Sequence, residues 1–164
     1  MEKIRWGILA TGWIAGQLAQ AIHNQPDADC LAVGSRSQQS ADAFGRKWHI
    51  PRRYSTYEAL ANDPDLDVIY IATPHNLHAE NMKLCLNAGK HVLCEKPITV
   101  NAAQARECMA LAKEKGLFLM EAMWMKFIPA VRQMLETRYG PERLQKRDTF
   151  TSVASGLAIV AQHL

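Results

Sequence analysis

Apolar residues gather in short unbroken runs, and between the runs they recur at helical spacing. Residues 4–10 form a first β-type run that stops at Thr11-Gly12. Ile14, Leu18, Ala21 and Ile22 then share one face of a predicted helix over 14–23, closed by Asn24-Gln25-Pro26-Asp27. Residues 30–34 are a second short run. A helix is predicted over 40–48, begun within 37–40, and Pro51 ends that region. Thr56 is placed to cap a short helix over 57–61, with Glu58 in its first turn. Residues 67–73 are the clearest strand, β-branched and bounded by Pro64 and Pro74. Asn76 is placed to cap a helix through 87, and Gly89 to supply its left-handed C-terminal residue. Residues 91–94 read as a buried strand and 101–115 as a long helix ended by Gly116. A fifth strand follows at 117–121 and another helix at 127–137.

Strand and helix thus alternate with short connections, and the strands are apolar throughout. That combination predicts a parallel sheet covered by helices on both faces, a doubly wound Rossmann-type α/β fold. The pattern changes after Gly140-Pro141: residues 144–152 read as a sixth strand, and 156–164 as an apolar piece with no partner element following it. The expected organisation is one domain over 1–140 and a distinct tail over 141–164.

Composition narrows the function classes. The chain has 164 residues, 48% of them hydrophobic and 21% charged, which suits one domain with a sizeable core. A net charge of +3, spread evenly, gives no basis for nucleic-acid or membrane-surface binding. No apolar run approaches the roughly 20 residues that span a bilayer, and residues 1–12 do not resemble a signal peptide, so the cytoplasm is the expected location. Cys30, Cys85, Cys94 and Cys108 form no Cys-x-x-Cys pair and read as reduced core or near-core thiols. His75-x-x-His78 and His91-x-x-Cys94 each offer two ligands where zinc needs about four, so no metal site is expected.

The first strand-to-helix turn carries more specific chemistry. A dinucleotide fingerprint wants small residues for the tight turn, the pyrophosphate approach and helix–strand packing. Ala10, Gly12 and Ala15 stand there, as Ala-x-Gly-x-x-Ala. A Cβ at the central position would push backbone away from phosphate, and the helix beyond offers unpaired N–H groups. Taken by itself, the match is also compatible with a plain tight turn. The second run ends Gly34-Ser35-Arg36-Ser37, with no acid at its tip to hold ribose hydroxyls. Ser35 and Ser37 can hydrogen-bond, and Arg36 can pair with a 2′-phosphate or stand exposed without such a role. The balance favours NADP over NAD.

The fourth apolar strand runs into Cys94-Glu95-Lys96-Pro97. Ligands bind at carboxyl ends of parallel strands, where Lys96 could exchange a proton with a substrate hydroxyl. Pro97 could adopt a cis peptide bond, and Glu95 could orient Lys96 or contact ribose. Without context, Glu-Lys-Pro reads first as a charged loop.

Three stretches together resemble a known family. They are 70–78 (YIATPHNLH), 89–97 (GKHVLCEKP) and 121–129 (EAMWMKFIP). In order and spacing they resemble the glucose–fructose oxidoreductase / inositol dehydrogenase (Gfo/Idh/MocA) family, over about residues 4–139. The Trp-x-Lys-Phe-x-Pro stretch is most similar to the branch that contains dimeric dihydrodiol dehydrogenase and NADP-dependent xylose dehydrogenase. The resemblance implies an NADP-dependent oxidoreductase acting on a sugar, polyol or dihydrodiol hydroxyl, with Lys96 catalytic. It implies a cofactor site of Ala10, Thr11, Gly12, Trp13, Ile14, Ser35, Arg36, Thr73, Asn76, Leu77, His78, Glu95, Lys96, Trp124 and Lys126. The branch usually has Arg at the last of these. Family members continue into an α+β domain with a Gly-Gly-Gly run and the usual homo-oligomer face; no such run follows Tyr139. Residues 141–164 are therefore expected to be a remnant or altered start of that domain. A dinucleotide-binding module without turnover is the alternative expectation.

Overall fold

The computed structural model describes residues 3–139. It divides the chain into two compact units, the first ending at Ala122 and the second beginning at Met123.

The first unit is a six-stranded sheet in which all paired strands are parallel. In chain order it runs β1 (Ile4–Leu9), α1 (Trp13–His23), β2 (Ala28–Gly34), α2 (Gln38–Lys47), β3 (Arg52–Tyr54), α3 (Tyr57–Ala61) and β4 (Val68–Ile71). Then come a 3-10 turn (His75–Leu77), α4 (His78–Asn87), β5 (His91–Cys94), α5 (Ala102–Glu114) and β6 (Leu119–Glu121). Strand order across the sheet is β3-β2-β1-β4-β5-β6. The chain winds outward from β1, then returns to start again on its other side at β4. A crevice opens at such a switch point, beside the carboxyl ends of the two central strands.

Burial follows the predicted apolar runs. Ile8, Leu9, Val68, Ile69, Ile71 and Val92 have no exposed surface, as strands covered on both faces require. Each full burial of such a side chain is worth about 2 kcal/mol before chain entropy is charged against it. All four cysteines are free; Cys85, Cys94 and Cys108 are buried and Cys30 is half-buried, as predicted.

Helix signals matched local geometry at most termini. Ser37, Thr56 and Asn101 each accept a hydrogen bond from the amide three residues on. Gly89 and Gly116 adopt φ of +77° and +65°, conformations that favour glycine.

Two expectations need correction. β3 was not predicted, because Arg52-Arg53-Tyr54 is a short polar edge strand rather than an apolar run. It takes the count to six, so 117–121 supplies β6 and not a fifth strand. Asn76 does not cap the fourth helix. Pro74 opens a 3-10 turn closed by the Leu77 amide on the Pro74 carbonyl (2.9 Å), and α4 starts at His78 without a side-chain cap.

The second unit contributes a 3-10 turn (Trp124–Phe127) and α6 (Pro129–Tyr139). The strand expected at 144–152, and the whole tail beyond it, lie outside the described residues. Among the described residues no helix is long and apolar enough to cross a membrane.

Candidate dinucleotide site

The registers place the strand ends in one row. Tyr54, Gly34, Leu9, Ile71, Cys94 and Glu121 pair successively across the sheet. The next row is also tied by backbone bonds. Ser35 donates to the Tyr54 carbonyl at 3.0 Å, Ala10 to Gly34 at 2.9 Å and Ala72 to Leu9 at 3.0 Å. Glu95 donates to Ile71 at 2.9 Å and Ala122 to Cys94 at 2.7 Å. Ala10, Ser35, Thr73 and Glu95, distant in sequence, therefore stand on or next to one rim.

At the β1–α1 turn, Ala10 has φ +91°, a conformation strained for any residue but glycine. It stands where the fingerprint usually has its first Gly. Gly12 precedes α1 in extended backbone (φ −72°, ψ 176°) and gives the helix no side-chain cap. A Cβ built on Gly12 would meet nothing within 4 Å. The glycine is thus not required by packing within the chain. The first-turn amides have no intrahelical acceptors and carry the positive end of the helix dipole. Ala15 is fully buried against the sheet, in the packing role expected of it. Gly16 performs a second packing task, since a Cβ there would lie 2.9 Å from the Trp48 indole. Trp13 is 78% exposed. A groove of about 570 Å³ runs from Thr11, Gly12 and Trp13 along α2, past Ser40, Phe44, Lys47 and Trp48.

At the β2 tip, Ser35 is buried and Arg36 is exposed. Among the described residues the Arg36 guanidinium has no hydrogen-bond or ion-pair partner, and no carboxylate ends the strand.

At the β4 end, Thr73 is buried and its hydroxyl accepts from the Asn81 amide (3.0 Å). Asn76 is exposed and Leu77 half-buried. His78 is only 1% exposed. Its Nε2 lies 2.9 Å from the Thr73 carbonyl and its Nδ1 2.8 Å from the Pro97 carbonyl, so each ring nitrogen faces a backbone acceptor and a neutral ring donates to one of them at a time.

At the β5 end, Glu95 is buried, and the Tyr70 hydroxyl donates to its Oε1 at 2.5 Å. Burial and the neighbouring carboxylate push the Tyr70 phenol far above its ordinary range, so it stays a donor. The Lys96 amide donates to Glu95 Oε2 (3.2 Å), and the Ile98 amide to Glu121 Oε1 (2.8 Å). The Lys96–Pro97 peptide bond is cis. The Lys96 side chain is exposed and, among the described residues, has no partner.

Tyr70 and Glu121 were not singled out from the sequence. Each carried a weak signal: a hydroxyl within an otherwise aliphatic strand, and a charge closing an apolar run. Trp124 is exposed and belongs to the second unit; the Lys126 side chain lies outside the described residues.

Comparison with known proteins agrees with this fold. The chain is 45% identical over 135 residues to trans-1,2-dihydrobenzene-1,2-diol dehydrogenase of Mus musculus, covering 81% of this chain and 40% of that protein. The Sus scrofa protein of the same name is 46% identical over 133 residues, with 80% and 40% covered. The chain thus spans about two fifths of the length of these relatives. Among solved structures, a 3-ketoreductase from Actinomadura kijaniata in complex with NADP superposes with a TM-score of 0.80 at 34% identity. That superposition covers 84% of this chain and 44% of the other. A biliverdin reductase from Synechocystis, bound to biliverdin and NADP+, gives 0.74 at 28% identity, with 84% and 43% covered. Residues 4–123 match the sequence model of the Gfo/Idh/MocA group, described as an oxidoreductase family with an NAD-binding Rossmann fold, and the chain belongs to that family.

Proposed function

We propose that this chain binds NADP in preference to NAD along the carboxyl rim of its sheet, and that Lys96 serves hydride transfer to or from a sugar, polyol or dihydrodiol. The observation that carries the cofactor choice is the β2 tip. Arg36 stands there exposed and without a partner among the described residues, and no acid is present to hold ribose hydroxyls. A guanidinium can pair bidentately with a 2′-phosphate, and Ser35 and Ser37 can add hydrogen bonds.

The residues divide the work. Ala10, Thr11, Gly12, Trp13 and Ile14 form the turn whose amides would hold the pyrophosphate. Gly12 leaves the approach free of side chain. Thr73, Asn76 and Leu77 border the crevice at the β4 end. Trp124 and Lys126 are proposed as cofactor residues from family resemblance alone. A bound nicotinamide supplies or accepts the hydride. Lys96, exposed at the β5 end, would move the accompanying proton at the substrate oxygen. Unpaired cysteines agree with a reducing compartment, and we place the protein in the cytoplasm.

Fluorescence titration with NADPH and NADH tests the choice directly. NADPH should bind at least about tenfold more tightly, a difference of about 1.4 kcal/mol. Arg36→Asp should remove that preference. Equal affinity for both nucleotides in the unaltered chain would show the choice to be wrong. Absorbance assays with candidate sugars, polyols and dihydrodiols separate turnover abolished by Lys96→Ala from binding alone.

A further inference from the structure

We propose that Tyr70, His78 and Glu121 are positioning residues, which fix the 95–98 loop from three separate elements and leave the exposed Lys96 ammonium as its unpartnered functional group among the described residues. This rests on the reading that Lys96 faces the bound nicotinamide nucleotide.

The loop is held on both sides of the lysine. Before it, Glu95 is tied by its amide to the Ile71 carbonyl and by its carboxylate to the Tyr70 hydroxyl on β4. After it, His78 at the start of α4 meets the Pro97 carbonyl, and Glu121 on β6 accepts from the Ile98 amide. β4 and β6 flank β5 in the sheet, so the supports come from both neighbours of the strand that carries the loop. Tyr70 is 2% exposed, His78 1% and Glu95 9%. Water cannot readily replace the buried Tyr70–Glu95 bond, which is stronger in that poorly solvated setting than at the surface, whereas the Glu121–Ile98 bond is half-buried.

The second His78 nitrogen faces the Thr73 carbonyl, so one buried ring sits between the β5 loop and the end of β4, with a single N–H to donate to either carbonyl when neutral. The ring thereby lies against two stretches of the proposed crevice. Within the loop, Lys96 differs from its neighbours: residues 95, 97 and 98 each meet a side chain from another element, and the Lys96 ammonium meets none among the described residues. A flexible cation on a rigid base can be directed at a small target, and modest misplacement of such a group is costly.

The test is the rate of acylation of each lysine by an amine-reactive acetyl ester, read by mass spectrometry with and without saturating NADP+. Lys83 on α4 and the exposed Lys113 on α5, both away from the groove, serve as internal references. NADP+ should slow labelling of Lys96 roughly tenfold in the unaltered chain. Glu121→Gln should keep that protection, because its amide oxygen still accepts from Ile98. In Tyr70→Phe and Glu121→Ala, saturated with NADP+ and folded by circular dichroism, protection should fall below about threefold. Should Tyr70→Phe fail to fold, the two Glu121 variants decide. Equal protection in the unaltered chain and the truncating variants overturns the proposal, as does a loss in Glu121→Gln matching that in Glu121→Ala. Binding of NADP+ without protection of Lys96 overturns the positioning role alone. No NADP+ binding by the unaltered chain overturns the cofactor reading, and this inference with it.

Discussion

At the scale of single residues, the β1–α1 turn shows two small residues under different constraints. Ala10 holds φ +91°, where a Cβ is penalised. Ala10→Gly removes that strain but adds freedom to the unfolded chain. The net expectation is stabilisation of about 1 kcal/mol, seen as a higher urea midpoint at unchanged slope. A lower midpoint would show that Ala10 rests without strain. Gly12 is the converse case. Its dihedral angles suit any residue and the space for a Cβ is empty, so its size answers to something outside the chain. Ala-x-Gly-x-x-Ala revealed the small residues in the sequence, but the strain at one and the vacancy at the other are facts of backbone geometry. Tyr70 and Glu121 were illegible for a related reason. Their partners lie 25 and 23 residues away, and only strand register brings them to the 95–98 loop.

At the scale of elements, local chemistry fixed most boundaries. Ser37, Thr56 and Asn101 cap α2, α3 and α5 with side-chain oxygens, and each could be read from residue type and spacing. Asn101→Ala should cost about 1 kcal/mol, measured by chemical denaturation. No measurable loss would mean that the α5 terminus is satisfied by solvent. α1 contrasts with these three, because Gly12 leaves its N-terminus without a side-chain cap. The boundaries that escaped were set by backbone partners. β3 is a strand because Arg52, Arg53 and Tyr54 pair with Ala32, Val33 and Gly34, not because its residues are apolar. The Asn76 cap was displaced by a 3-10 turn that satisfies its own amide.

At the scale of the whole first unit, charged groups beneath the sheet connect stability to pH. The Asp63 carboxylate is buried and accepts from Arg52, Tyr54 and the Asp65 amide. Burial alone would raise its pKa; the hydrogen bonds outweigh that and hold it below the usual carboxylate range. Asp67, gripped by Arg5, is lowered by the same balance. His91 is lowered by burial, against a weaker pull from Asp67, and its Nδ1 accepts from the Phe118 amide. For all three, the folded-state pKa lies below the unfolded value. Their contribution is fully present above the unfolded pKa and is lost as pH falls through the folded one. Stability should therefore begin to decline below about pH 6.5 through His91 and fall more steeply below about pH 4 through the two aspartates. Urea midpoints across that range check this, and a midpoint rising from pH 7 to pH 5 would contradict it. The sheet itself was legible from alternating runs and helical spacing. The network joining Arg52 to Asp63 and Asp65 was not, since it depends on the unforeseen β3.

The uncapped turn at residues 10–15 is where fold and proposed chemistry meet. The decisive measurement is NADPH titration of the unaltered chain and of Gly12→Val, each with its thermal midpoint. A phosphate cradle requires that the unaltered chain bind and that the variant, with a branched side chain in open space, keep its midpoint while losing affinity by at least about a hundredfold. No binding by the unaltered chain, or undiminished binding by a folded Gly12→Val, would contradict it.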